Sequence, residues 1–158
     1  MQNQEFYIKP YETNFKEQIL SVWEKSVRAT HNFVKPSDID YYKQSVKEID
    51  FCSLSVYCLT NENKVVGFIG VADLKIEMLF LDPDYIGQGL GKKLMNFALN
   101  DLKADQVDVN EQNSNAVKFY SKFGFTPYEK TEKDREGKDY PILKMKLKFI
   151  DTNISLNR

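Results

Sequence analysis

At 158 residues the chain has the length of one ordinary domain, enough to bury most of its apolar surface. Hydrophobic residues at 42% and charged residues at 28% are globular values, and a net charge of -1 with a pI of about 5.9 leaves no basic footprint, so nucleic acid is not an expected partner. The start, Met1-Gln2-Asn3-Gln4-Glu5, lacks the apolar core of a signal peptide, and no apolar run approaches the ~18 residues of a membrane span.

Phe6-Tyr7-Ile8 reads as a short first strand closed by Pro10. A helix is predicted from a cap at Thr13 or Asn14 to about Ala29, with Phe15, Ile19, Val22, Trp23 and Val27 as its buried stripe. After Arg28-Ala29-Thr30-His31-Asn32-Phe33 and Pro36, Ser37 is the predicted cap of a second helix carrying Ile39, Tyr42, Val46 and Ile49. Strands follow over Cys52 to Thr60, Val65 to Ala72 and Lys75 to Leu81, joined by tight links that imply an antiparallel meander. The two cysteines, Cys52 and Cys58, share the first of these strands, and about six residues of extended chain at ~3.3 Å each is too far for a disulfide. A reduced, cytoplasmic protein is the expectation.

Beyond Leu81 the pattern changes: Asp82-Pro83 stops the strand, and Gly87, Gly89 and Gly91 alternate. A helix then opens, with Leu90, Leu94, Phe97, Ala98 and Leu102 on its apolar face. A strand, a glycine loop and a helix start make an anion site, because the first helical amides lack intrahelical partners and glycines let an anion approach the backbone. Lys92 and Lys93 in that first turn suit a polyanion. A P-loop is excluded by Ile86 and Lys93 at its first glycine and its hydroxyl position. A dinucleotide fingerprint is excluded by Lys92 or Leu94 where its last glycine belongs.

A strand over Gln106 to Asn110 and a helix from about Asn113-Ser114 follow, with Ala116, Phe119, Tyr120 and Phe123 on one face and Gly124 as the C-cap. Phe125 to Lys133 and Tyr140 to Phe149 form a predicted long hairpin with a charged tip expected to be mobile. With no repeat or linker, residues 1–149 are expected to form one domain and 150–158 a frayed tail. The order β-α-α-β-β-β-α-β-α-β-β describes an α+β domain with a mixed, twisted central β-sheet flanked by helices.

The glycine loop resembles the pyrophosphate loop of the GNAT superfamily of N-acetyltransferases, Q/R-x-x-G-x-G/A, with Ile86 in place of Gln or Arg. The segment from Asn113 to Phe125 is similar to the family's N-x-x-A-x-x-F-Y-x-x-x-G-F and matches every fixed position. The resemblance covers nearly the whole chain, and its order of elements agrees.

This resemblance implies a GNAT-like fold and transfer of an acetyl group from acetyl-CoA to a primary amine by direct attack on the thioester, with no metal. Backbone groups of Leu79, Phe80 and Leu81 would bind the pantetheine arm. Amides of Ile86, Gly87, Gln88, Gly89, Leu90, Gly91 and Lys92 would take the pyrophosphate, and Asn113 would contact the cofactor or cap its helix. Tyr120 corresponds to the family's general acid, although by periodicity alone it is a core aromatic. Glu77 lies where relatives place a base acting through water, and is otherwise an edge-solvated acid. Trp23, His31 and Phe33 fall in the region that builds the acceptor pocket, and an exposed loop histidine is the plain alternative for His31. The partners implied are acetyl-CoA and an amine, with no membrane, and a homodimer stays open. The competing function is a non-catalytic acyl-CoA-binding regulatory module. Ile86 favours that reading, and the presence of both Tyr120 and Glu77 opposes it.

Overall fold

The structure, a computed structural model, describes residues 5–148; the tail over 150–158 and Phe149 lie outside the described residues. The chain divides after Ala104 into two compact units. Among the described residues the order is β1 (Tyr7–Pro10), α1 (Lys16–Thr30), α2 (Pro36–Lys47), β2 (Ser55–Asn61), β3 (Lys64–Ala72), β4 (Lys75–Leu81) and α3 (Leu90–Asn100) in the first unit. The second holds β5 (Gln106–Asn110), α4 (Ser114–Lys122), β6 (Phe125–Thr131) and β7 (Ile142–Leu147). This is the α+β succession the sequence predicts.

In the first unit β1, β2, β3 and β4 form an antiparallel meander, with Cys58 opposite Phe68 and Phe68 opposite Phe80. β3 is buried along almost its whole length, which is why it reads as a continuous apolar run. α1 follows a 3-10 turn at Thr13–Phe15 and buries the expected stripe of Phe15, Ile19, Val22, Trp23 and Val27. Full burial of each such side chain stabilises by roughly 1.5–3 kcal/mol. The stripe anchors α1 over β4, where Trp23 meets Phe80 edge-on with ring centroids 6.5 Å apart.

Several boundaries differ from expectation. Pro36, not Ser37, opens α2: a proline at the first helical position has no amide to waste, and Lys35 becomes the cap. α2 ends at Lys47, leaving Ile49 beyond it. Cys52 is not in a strand, because the Asp50 carboxylate accepts its amide at 3.1 Å and winds Phe51–Ser53 into a 3-10 turn. Both cysteines are free thiols. The β3–β4 turn places Asp73 and Leu74 at φ 51° and 65°, without a glycine.

In the second unit β7 pairs antiparallel with both β5 and β6. The hairpin strands are shorter than predicted because the tip has its own architecture. The Asp134 carboxylate accepts the amides of Glu136 and Lys138 at 3.0 and 2.9 Å, and Lys133 pairs with Asp139. Gly124, at φ +97°, ends α4 as expected. No helix among the described residues is long and apolar enough to cross a membrane.

Candidate functional site

The glycine loop is built from the end of β4. The Asp82 amide donates to Val66 O at 2.8 Å, which carries the chain one residue past the strand. The Asp82 carboxylate, buried, accepts the Asp84 amide at 2.9 Å and caps a 3-10 turn over Pro83–Tyr85. Lys25 Nζ lies 3.9 Å from the other carboxylate oxygen. The Ile86 amide donates to Pro83 O at 3.3 Å, and its side chain is 58% exposed.

From there the backbone needs glycine. Gly87 and Gly89 take φ +92° and +75°, and beyond their own chain neighbours nothing lies within 4 Å of where either would carry a Cβ. Gly89 caps α3, and the Lys93 amide makes the helix's first bond, to Gly89 O at 3.1 Å. The amides of Leu90, Gly91 and Lys92 therefore precede the intrahelical ladder. No acid occupies the first turn, and Lys92 and Lys93 are exposed. An open cleft of about 430 Å³ lies between Glu5, Phe6 and Tyr7 on one side and Gln88, Gly89, Leu90 and Lys93 on the other. Amides without ladder partners, the positive helix end, open space and cations fit a large diphosphate such as coenzyme A. The cleft gave no signal in the sequence, because residues 5–7 meet the loop only through the fold.

Glu77, Leu79, Phe80 and Leu81 share β4 and are half-buried. The β3–β4 register shifts between Gly70 and Val71, making Glu77 the extra residue of a bulge, yet the alternation expected around it is kept, with Ile76 and Met78 buried and Lys75, Glu77 and Leu79 half-buried. Trp23 is a core residue against Phe80. His31 follows α1, half-buried, with Nδ1 2.8 Å from Thr30 Oγ1 and Phe33 at a ring distance of 5.3 Å. Desolvation pulls its imidazole down to about 4. It is thus not the solvated loop histidine of the plain alternative.

In the second unit Asn113 caps α4, its Oδ1 accepting the Ala116 amide at 3.2 Å. Tyr120 is buried, with edge-on contacts to Phe119 and Phe125 at 5.3 and 6.0 Å. Burial pushes its phenol well above the usual tyrosine range, which keeps the proton on it. Among the described residues no group of three or more His, Cys, Asp or Glu side chains could hold a metal ion.

A model of the acetyltransferase (GNAT) domain matches residues 16–149. The chain belongs to the GNAT family. Among curated GNAT relatives, peptidyl-lysine N-acetyltransferase YjaB of Salmonella typhimurium is 36% identical over 133 residues, covering 82% of this chain and 89% of that protein. YjaB of Escherichia coli K12 is 34% identical over 133 residues, with 82% and 88% covered. The solution structure of apo-form YjaB from Escherichia coli superposes with a TM-score of 0.80 at 30% identity, covering 90% of this chain and 97% of that one. PaiA N-acetyltransferase from Thermoplasma acidophilum, solved in complex with coenzyme A, shares the fold at a TM-score of 0.72 and 19% identity, with 92% and 99% covered. This GNAT member is accordingly an N-acetyltransferase that draws on acetyl-CoA and acetylates an amine.

Two participants escaped the sequence reading. Asp82 reads there only as a strand stop, although Asp before Pro with an amide two residues on is a recognisable Asx turn. Thr30 gives no signal, since its role depends on where one hydroxyl proton points.

Proposed function

We propose that the chain acetylates lysine side chains of proteins or peptides. The observation that carries this reading is the likeness over most of the chain to enzymes named peptidyl-lysine N-acetyltransferases. Acetyl-CoA, when bound, supplies a thioester activated toward attack by an amine. The amides from Gly87 to Lys92 would hold its pyrophosphate, those after Gly89 standing ahead of the helical ladder; the Ile86 amide expected to join them is already donated to Pro83 O. Backbone groups of Leu79, Phe80 and Leu81 would orient the pantetheine arm, and Asn113 would contact the cofactor while capping α4.

Tyr120 would hold a proton at its phenol oxygen for the departing sulfur. Its burial favours that protonated state. Glu77, half-buried at the β4 bulge, would draw the ammonium proton through water. His31 and Phe33 would face the acceptor, whereas Trp23, buried in the core against Phe80, is not proposed to touch it. Residues 1–149 would work as one domain, since the family match runs through both units. With a net charge of -1, nucleic acid and membrane surfaces are not proposed partners, and a cytoplasmic setting fits the free thiols.

The experiment is acetyl-CoA with a panel of lysine peptides, N-terminally blocked peptides and free amines, following thiol release and locating the acetyl group by mass spectrometry. Turnover on internal lysines supports the proposal. Turnover confined to free small amines or α-amines defeats it.

A further inference from the structure

The last turn of α1 contains a hydrogen-bond relay whose direction follows from donor and acceptor accounting. Thr30 Oγ1 lies 2.7 Å from Ser26 O. A carbonyl can only accept, so the one hydroxyl proton of Thr30 is committed there. The same oxygen lies 2.8 Å from His31 Nδ1 and in that contact can only accept. The ring proton therefore sits on Nδ1, and Nε2 carries the lone pair.

That lone pair is available. Among the described residues no side chain or backbone group takes Nε2, and the sealed, unpartnered side-chain atom is Asp105 Oδ1, not this one. The second half of α1 packs beside the end of β4, through Trp23 on Phe80 and Lys25 near Asp82, and His31 follows directly from it. His31 stands six residues beyond Lys25, about 9 Å further along the helix direction, and a half-buried neutral imidazole there, with Phe33 beside it, is an acceptor withdrawn from bulk water.

We propose that His31 Nε2 accepts a hydrogen bond from an N–H of the acceptor substrate, with Thr30 as the positioning residue that sets the tautomer. The contact rests on the lysine reading of the site. Its role is acceptance of a hydrogen bond and not of a proton. The ring titrates at about 4 and a lysine ammonium at ~10.4, so full transfer is roughly a million-fold unfavourable.

The chain has a single histidine, so ring-nitrogen NMR of the tag-free, isotope-labelled protein reads His31 alone. The free protein should show a protonated Nδ1 and a bare Nε2. Thr30→Ser should keep that pattern and Thr30→Val should mix the tautomers. With a lysine peptide as acceptor, His31→Asn should raise KM for the peptide about tenfold or more, as for loss of a hydrogen bond from a charged donor, while KM for acetyl-CoA holds. His31→Gln, whose amide reaches nearer the Nε2 position, should recover part of the loss. A proton on Nε2 in the free protein overturns the relay. An unchanged peptide KM in folded His31→Asn overturns the contact. If no lysine peptide is acetylated, the lysine reading falls, the spectrum still decides the relay, and the response of the Nε2 resonance to whichever amine is accepted decides the contact.

Discussion

The buried Asp82 carboxylate accepts the Asp84 amide at 2.9 Å and so fixes the turn by which β4 reaches the glycine loop. The charge partner matters less than the cap. Lys25 is 57% exposed and 3.9 Å away, where an ion pair contributes little. Asp82→Ala should destabilise by about 0.5–2 kcal/mol, the range for lost caps, and should weaken acetyl-CoA binding by loosening the loop. Lys25→Met should change stability by less than ~0.5 kcal/mol. Urea unfolding and calorimetric titration of acetyl-CoA check both.

Gly89 permits a different test, because its surroundings are open and only its backbone is demanding. Gly89→Ala introduces no clash but holds a Cβ at φ +75°, costing about 1–2 kcal/mol. If the loop relaxes away from that conformation, donor affinity should fall about tenfold for each 1.4 kcal/mol lost. KM for acetyl-CoA should rise, with KM for the amine steady.

Tyr120→Phe keeps the ring and its contacts with Phe119 and Phe125 and removes only the proton carrier. The expected result is a kcat lower by about 10²–10⁴ with an unchanged melting temperature. Since burial raises the phenol, any alkaline fall in wild-type activity below pH ~10 should persist with the same midpoint in the variant. A midpoint that moved would assign that ionisation to Tyr120.

His31 sets a pH dependence of stability. Its folded pKa, about 4, lies below the ordinary 6.5, so between those values the unfolded chain binds a proton that the native state refuses. Stability from this source is complete above 6.5 and is lost as the pH falls toward 4. Wild type should lose melting temperature more steeply than His31→Gln across that window. Parallel curves would remove the imidazole from the account.

The thiols should differ in reactivity. Burial pushes Cys58 up to about 12, whereas Cys52 is exposed on its 3-10 turn. Iodoacetamide on the folded protein should therefore label Cys52 alone, and denaturant should expose Cys58. Peptide mapping by mass spectrometry reads the order.

The legible parts of this fold are those in which one periodic pattern governs. The stripe from Phe15 to Val27 and the strand from Lys75 to Leu81 could be read directly, since a single buried face dictates their spacing. The glycine loop was legible because positive φ selects one residue type. Cys52 was misplaced because a single Asp50 hydrogen bond outweighs a run of strand-forming residues. The Glu77 bulge was invisible, since register depends on the neighbouring strand and not on the strand's own residues. The direction of the Thr30–His31 contact needed atomic distances, and composition carries none.

Asp73 and Leu74 close the β3–β4 turn at positive φ without a glycine, and Leu74 is 48% exposed there. Asp tolerates that region, but Leu74 opposes the turn by about 1–2 kcal/mol, so the local chain does little to favour closure. An isolated hairpin is marginal even with a favourable turn. β3 and β4 thus have little reason to pair before collapse has begun. What keeps this hairpin closed in the folded protein is therefore what packs on its strands, α1 among them through Trp23 on Phe80.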